Sequence, residues 1–391
     1  MAKLVSIAVL AVSLACALVG SVHAQTPSPG NISVHTDAVC PTIPVTGSQQ
    51  FPSGSQCYSG TITCSNVYSN VAEIGFTFGV LGSGGSGGTI VLFSHGDGTS
   101  IDFDPALIAW YNASPQNFQT VEVVWEEPNS TNPFPWEQSQ TSSQSSLTSI
   151  KQAACRPATL LNWLYNNIYG SGGMCAEGIS AGSAAIAYSM AEYNVDYLDA
   201  VEFHSGPPLA DIRAGCSTDP QSYTVCANSY CNSGTEGSWS ASLGYISPAP
   251  ADIDQWTNQS TATCTTSNGI GDGSTYKGMS VVDGESDSTF YYPSTSVNIW
   301  VCAAANYTNR VCGMSNPSPN NSGPEADFFA DQIYHAGSAI NEYRVDHCGG
   351  SNPNSEDVGS GLVPDNLYGL GTCALGQTVI RNDMAHNCAA H

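Results

Sequence analysis

Gly178-Ile179-Ser180-Ala181-Gly182 sets a serine between two glycines, with a strand-like stretch from Gly172 before it and an Ala-rich, helix-like stretch to Tyr188 after it. A serine on a tight strand-to-helix turn presents its hydroxyl at the end of a sheet. The residues two before and two after must then be small enough for strand and helix to pass closely. Ser180 therefore reads as a nucleophile. The helix that follows points its free N–H groups and its dipole at the place where an oxyanion would form, with the N–H of Ala181 placed to donate. That is acyl-transfer chemistry. Gly84-Gly85-Ser86-Gly87-Gly88 has the same pattern, but it lies in a Gly/Ser run with no helix after it and reads as a flexible segment.

Such a nucleophile needs a sheet to hold it. Ala72–Val80 and Thr89–Ser94 read as strands, the second a continuous apolar run of the kind buried in a parallel sheet, ending in His95-Gly96-Asp97-Gly98. Pro105–Tyr111 reads as a helix and Thr120–Trp125 as a strand, followed by a polar loop that carries Trp136. From Ser146, apolar residues at Leu147, Ile150, Ala154, Leu161, Leu164 and Ile168 recur at helical spacing and lead into the serine turn. Leu198–Phe203 reads as a further buried strand ending at His204. Residues 209 to about 276 lose the alternation but hold Cys216, Cys226, Cys231 and Cys264, and are expected to form a disulfide-held cap. The sheet is expected to resume at Gly278–Val282 and Val297–Val301, with a helix near 325–340, a last strand at Glu342–Val345 and a closing helix at 375–388. Residues 25–60, rich in Pro, Ser and Gly, read as an irregular N-terminal region stapled by cysteines. The alternation predicts an α/β chain with a doubly wound, mostly parallel sheet, one domain over 25–391 with the cap inserted.

Lys3, the apolar run Leu4–Val19 and the small-residue site at Ala24 read as a secretory signal over residues 1–24, too short for a comfortable membrane span. Its removal takes Cys16 and leaves 14 of the 15 cysteines, an even number that suggests disulfides in an exported chain. No Cys-x-x-Cys and no paired Cys/His spacing argues for a metal, and no cofactor is implied. With 8 basic against 32 acidic residues and a net charge of −24, nucleic acid and anionic membranes are poor partners. Sequons stand at Asn31, Asn112, Asn129, Asn258, Asn306 and Asn320. Oligomeric state is not legible.

Ser94–Gly98, Ala154-Cys155-Arg156-Pro157-Ala158, the Ser180 turn and Ser205-Gly206-Pro207-Pro208 follow one another in an order that resembles the α/β-hydrolase family, in particular a group of secreted serine hydrolases. The resemblance covers roughly residues 72 to 388. It implies the α/β-hydrolase fold and a Ser, acid, His order of the triad. The acid is expected just past the strand that follows the cap; the family's Gly-x-x-Asp pattern maps onto Asp287, with Asp283 and Glu285 as alternatives. His347, directly after the last strand, takes the place of the base, ahead of His335, His386 and His391. Relatives also carry a base in a turn that here reads Asn354-Ser355-Glu356-Asp357. Asparagine accepts no proton, so either His347 serves or the triad is silent. Asp97 is implied as the second oxyanion donor beside Ala181, with His95 orienting that turn and His204 an interior histidine. The expectation is a secreted hydrolase of carboxylic esters, whether polyester, acylated polysaccharide or small ester. The alternatives are a peptidase of the same fold and a silent binding protein.

Overall fold

The computed structural model describes residues 29–44, 49–67, 72–85, 87–94, 98–138, 150–212, 216, 223–224, 238–239, 253, 264, 279–282, 289–302, 322–345, 362–365 and 371–389. The elements in chain order are β1 (Asn31–Thr36), β2 (Gln56–Thr63), β3 (Glu73–Leu81), β4 (Gly88–Phe93), α1 (Pro105–Asn112), β5 (Phe118–Glu126), α2 (Ile150–Ala153), α3 (Cys155–Asn167), β6 (Gly173–Ile179) and α4 (Ala181–Tyr193). They continue with β7 (Ala200–His204), β8 (Tyr223–Thr224), β9 (Ser238–Trp239), β10 (Ser296–Cys302), α5 (Ser322–His335), β11 (Ile340–Val345), β12 (Leu362–Asp365), β13 (Gly371–Leu375) and α6 (Gly376–Ala389).

One sheet of nine described strands runs in the order β1-β2-β3-β5-β4-β6-β7-β10-β11. From β5 to β11 neighbouring strands are parallel, and β1, β2 and β3 extend the sheet antiparallel. The central strands are parallel because helices cover both faces, which is why β4 and β6 are buried almost throughout. On one face Leu161 of α3, Ala184 of α4 and Phe329 of α5 join the main core with Val91, Ala176 and Phe203; on the other, Leu107 of α1 and Met384 of α6 pack on Ile90, Leu92 and Cys175. This is a doubly wound, mostly parallel α/β sheet. Asp104 caps α1, accepting from the Ala106 N–H at 2.8 Å, and Pro105 supplies the preset φ of a first helical residue.

Three expectations change. Residues 31–36 and 56–63 are strands and not an irregular region; their outer face is Ser, Thr and His, so the alternation reads as loop composition when one face is polar. Residues 279–282 form no strand. They turn against α4, where the Tyr188 hydroxyl donates to the Met279 carbonyl at 3.1 Å, and the sheet resumes only at Ser296. The short β12–β13 hairpin was not expected. Residues 139–149, where the helix from Ser146 should begin, and most of the cap at 209–276 lie outside the described residues; the disulfide Cys216–Cys264 does join two points of that segment.

The other described disulfides are Cys40–Cys57, Cys64–Cys155 and Cys175–Cys388, and Cys373 is disulfide-bonded as well. The signal segment 1–24 lies outside the described residues. No helix among the described residues is long and apolar enough to cross a membrane.

Candidate active site

The chain steps from β4 to β5 on one side and returns from β5 to β6 on the other, so the strand order reverses between β4 and β6. In open α/β sheets the crevice at the carboxyl ends of the strands, at such a reversal, is where ligands bind. Ser180 follows β6 directly at that point.

Ser180 has φ +50° and ψ −112°, a backbone conformation costing a side-chain-bearing residue on the order of 1–3 kcal/mol. The Ser180 N–H donates to the His204 carbonyl at 2.9 Å, and its own carbonyl accepts from Ala184 at 3.1 Å, which fixes the turn between β7 and the helix. Although Ser180 is the residue before the first turn of α4, its side chain does not cap the helix. An N-cap serine normally spends its oxygen on the second or third N–H. Here the strained backbone turns the hydroxyl away from that duty. Both glycines are required: a Cβ at Gly178 would stand 2.6 Å from the Gly182 carbonyl oxygen, and one at Gly182 would overlap the carbonyl of Phe93.

The same packing brings the four sequence motifs together. Phe93, the last residue of β4, pairs with Gly178 and touches Gly182, so β4 ends beside the nucleophile turn. Gly206 lies against Ser183, whose hydroxyl is within 2.6 Å of the Gly178 carbonyl and 3.0 Å of the His204 carbonyl. Arg156, fully buried, donates to the carbonyls of Trp136 and Gln138 at 2.6 and 2.7 Å, and Trp136 Nε1 donates to the Ala181 carbonyl at 3.2 Å. Arg156 and Trp136 thus hold the first residue of α4 from behind. The sequence showed both residues without this role, which only the fold of the 126–138 loop reveals.

Of the residues expected to complete the chemistry, Ala181 begins α4 beside Ser180. Asp97, Asp287 and His347, with His95, Asp283, Glu285 and Asn354, lie outside the described residues. In the sequence His347 comes two positions after the end of β11. For the acid the strand order reads differently: the strand following the cap is β10, which Asp287 precedes, and no Asp or Glu stands between Cys302 and Glu325. The assignment of Asp287 therefore rests on the Gly-x-x-Asp match. His335 pairs at 3.4 Å with Asp331 on the exposed side of α5, and His386 is exposed on α6. Among the described residues no group of three or more His, Cys, Asp and Glu side chains is placed to hold a metal ion.

Beneath the turn lies a feature the sequence hid. Glu122, Glu177 and Glu202 occupy one register row of the sheet, on the face under α1 and α6. Tyr111 donates to Glu177 at 2.8 Å, while Asn298 and Trp300 donate to Glu202. Burial pushes Glu122 up to about 8 and Glu177 up to about 7, and burial together with the neighbouring Asp383 holds Glu202 well above the usual carboxylate range. His204 Nε2 stands 3.3 Å from Glu177 Oε1 without hydrogen-bond geometry, and burial lowers His204 to about 3, so the pair is not an ion pair at neutral pH. Acidic residues inside otherwise apolar strands were the available signal.

These shifts predict a pH dependence of stability. The raised carboxyls bind protons in the folded protein that the unfolded chain has already released above its carboxyl pKa, so their contribution is complete below about pH 4.5 and is lost as pH rises through 7 to 8. The depressed His204 acts oppositely, but only between about 3 and its unfolded value near 6.5. Above that only the carboxyls act, each contributing a loss of up to about 1.4 kcal/mol per pH unit. Melting temperature should fall between pH 6.5 and 8, and Glu177→Gln should shallow the fall. A flat or rising Tm over that range would contradict it.

No protein-family model and no curated protein sequence matches the chain. Among solved structures it is similar to a carboxyl esterase from the mycorrhizal fungus Tuber melanosporum, at 11% identity over 98% of each chain with a TM-score of 0.39. It is similar also to a bacterial heroin esterase, at 11% identity over 96% of this chain and 90% of that one with a TM-score of 0.39. A third is a hyperthermophilic esterase from the archaeon Pyrobaculum calidifontis, at 11% identity over 85% of both chains with a TM-score of 0.40. Likeness at this level leaves the chemistry of this chain to its own residues.

Proposed function

We propose that the protein is an exported serine hydrolase of carboxylic esters acting through an acyl-enzyme intermediate. The observation that carries the reading is Ser180 itself: a strained, uncapped serine at the reversal of strand order, locked between Gly178 and Gly182 at the start of a helix. Ser180 Oγ attacks the acyl carbon while His347 takes its proton. The Ala181 and Asp97 N–H groups hold the oxyanion, and the collapse of the tetrahedral species expels the alcohol with the proton that His347 returns. Water, deprotonated by the same histidine, then releases the acid. Asp287 orients the imidazole. Export is supported by the signal-like residues 1–24 and by disulfides, which persist in oxidising compartments.

A series of p-nitrophenyl esters of increasing acyl length, run beside a peptide substrate, tests the reading. Ester turnover is expected, and cleavage of peptides without esters would overturn it. His347→Ala should lose about as much activity as removal of Ser180, because triad members act as a unit, while His335→Ala and His386→Ala stay near wild type. If His347→Ala keeps normal turnover, the base lies elsewhere.

A further inference from the structure

A half-open cavity of about 560 Å³ lies over the antiparallel strands, on the same face of the sheet as Glu122. Its floor follows from strand register. Ser33, Thr61, Gly75 and Glu126 form one row, and His35, Ser59 and Thr77 the next, all on one side because side chains alternate along a strand. A Cβ at Gly75 would overlap the Glu127 carbonyl, so the missing side chain is what lets the 127–132 turn arch over the floor.

Glu126 lines this cavity with only 4% of its surface exposed. Its Oε2 accepts from the Thr77 hydroxyl at 3.1 Å, but its Oε1 has no hydrogen-bond partner. A buried polar atom left in this way calls for an explanation, and in a residue that lines a cavity a donating ligand supplies one. Thr77 stands 3.1 Å from Ser59, which donates to Asp37 at 2.5 Å, so two hydroxyls stand in line between two carboxyls. None of the lining residues is Lys or Arg, and Glu126 and Glu127 are among them, which disfavours an anion.

We propose that this cavity binds a polyhydroxylated, carbohydrate-type ligand, whose hydroxyls donate to Glu126 and exchange hydrogen bonds with the Ser and Thr floor. Burial pushes Glu126 up to about 7, so the carboxyl carries too little charge at mildly acid pH to favour an ammonium ligand over a hydroxyl. The cavity opens by the carboxyl end of β5, two strands and about 10 Å across the sheet from the strand that carries Ser180. It is nevertheless separate from the nucleophile, and the proposal does not depend on hydrolysis.

The test is calorimetric titration of the whole chain with xylo-, manno- and mixed-linkage gluco-oligosaccharides, with tetramethylammonium chloride as a cation probe. Saturable binding of at least one oligosaccharide is expected, weakened about tenfold in Glu126→Gln and abolished in Ser33→Trp. Ser33 is exposed on the edge strand, so the larger side chain fills the cavity mouth without entering the core. Ser180→Ala should bind as the wild type does, which keeps the result apart from the hydrolase reading. Absence of binding by every oligosaccharide, binding that survives Ser33→Trp, or saturation by tetramethylammonium instead would each overturn the proposal.

Discussion

Ser180→Ala should lower kcat/KM for p-nitrophenyl acetate by about 10⁴-fold or more, and a fluorophosphonate probe that labels the wild type at Ser180 should no longer label the protein. The fold should survive. The Ser180 side chain caps nothing, and alanine at φ +50° meets the same backbone strain as serine, so the melting temperature should stay within about 2 °C. Ser183, three residues on, separates chemistry from structure: its buried hydroxyl ties the strand ends of β6 and β7 together through the Gly178 and His204 carbonyls. Its loss would be felt as stability first. Labelling at Ser86, or turnover in Ser180→Ala within tenfold of wild type, would remove the nucleophile assignment.

The serine turn was legible in sequence because its requirement is steric. Two glycines at fixed offsets, with a strand before and a helix after, are what the contacts of Gly178 with Gly182 and of Gly182 with Phe93 demand. Strand β4 was legible because a strand buried on both faces reads as a near-continuous apolar run. The N-terminal strands were not, since the face they turn to the cavity is Ser, Thr and His. Residues 278–282 misled for the opposite reason. An apolar run is equally at home in a buried turn, and here it packs under Tyr188, while the Ser280 hydroxyl accepts from the Ile212 N–H at 2.9 Å.

The same strand reading also set the expected place of the acid, so Asp287 rests on its Gly-x-x-Asp match alone. The carboxyl row under the site was invisible because Glu177 and Glu202 interrupt apolar segments singly, and only strand register brings them side by side.

The largest expected effect on stability comes from the bond between Cys175 and Cys388, which sequence alone could not pair because pairing follows Cα proximity in the fold. It closes a separation of 213 residues, the longest among the described disulfides. In the chain-entropy account a loop of that length contributes about 5 kcal/mol, against about 3 kcal/mol for the 17-residue separation of Cys40–Cys57. Packing points the same way. Both sulfurs are buried, and a Cβ on Gly173 would overlap the Cys388 carbonyl, so the end of α6 is pressed directly onto β6. Releasing it loosens the helix that covers the Glu177 and Glu202 row, five residues before the nucleophile in β6. The double variant Cys175→Ala/Cys388→Ala should therefore lose about 3–5 kcal/mol in denaturant unfolding, against about 2–3 kcal/mol for Cys40→Ala/Cys57→Ala. If the two variants unfold at the same denaturant concentration with equal slopes, the long closure contributes no more than the short one, and α6 is held by packing alone.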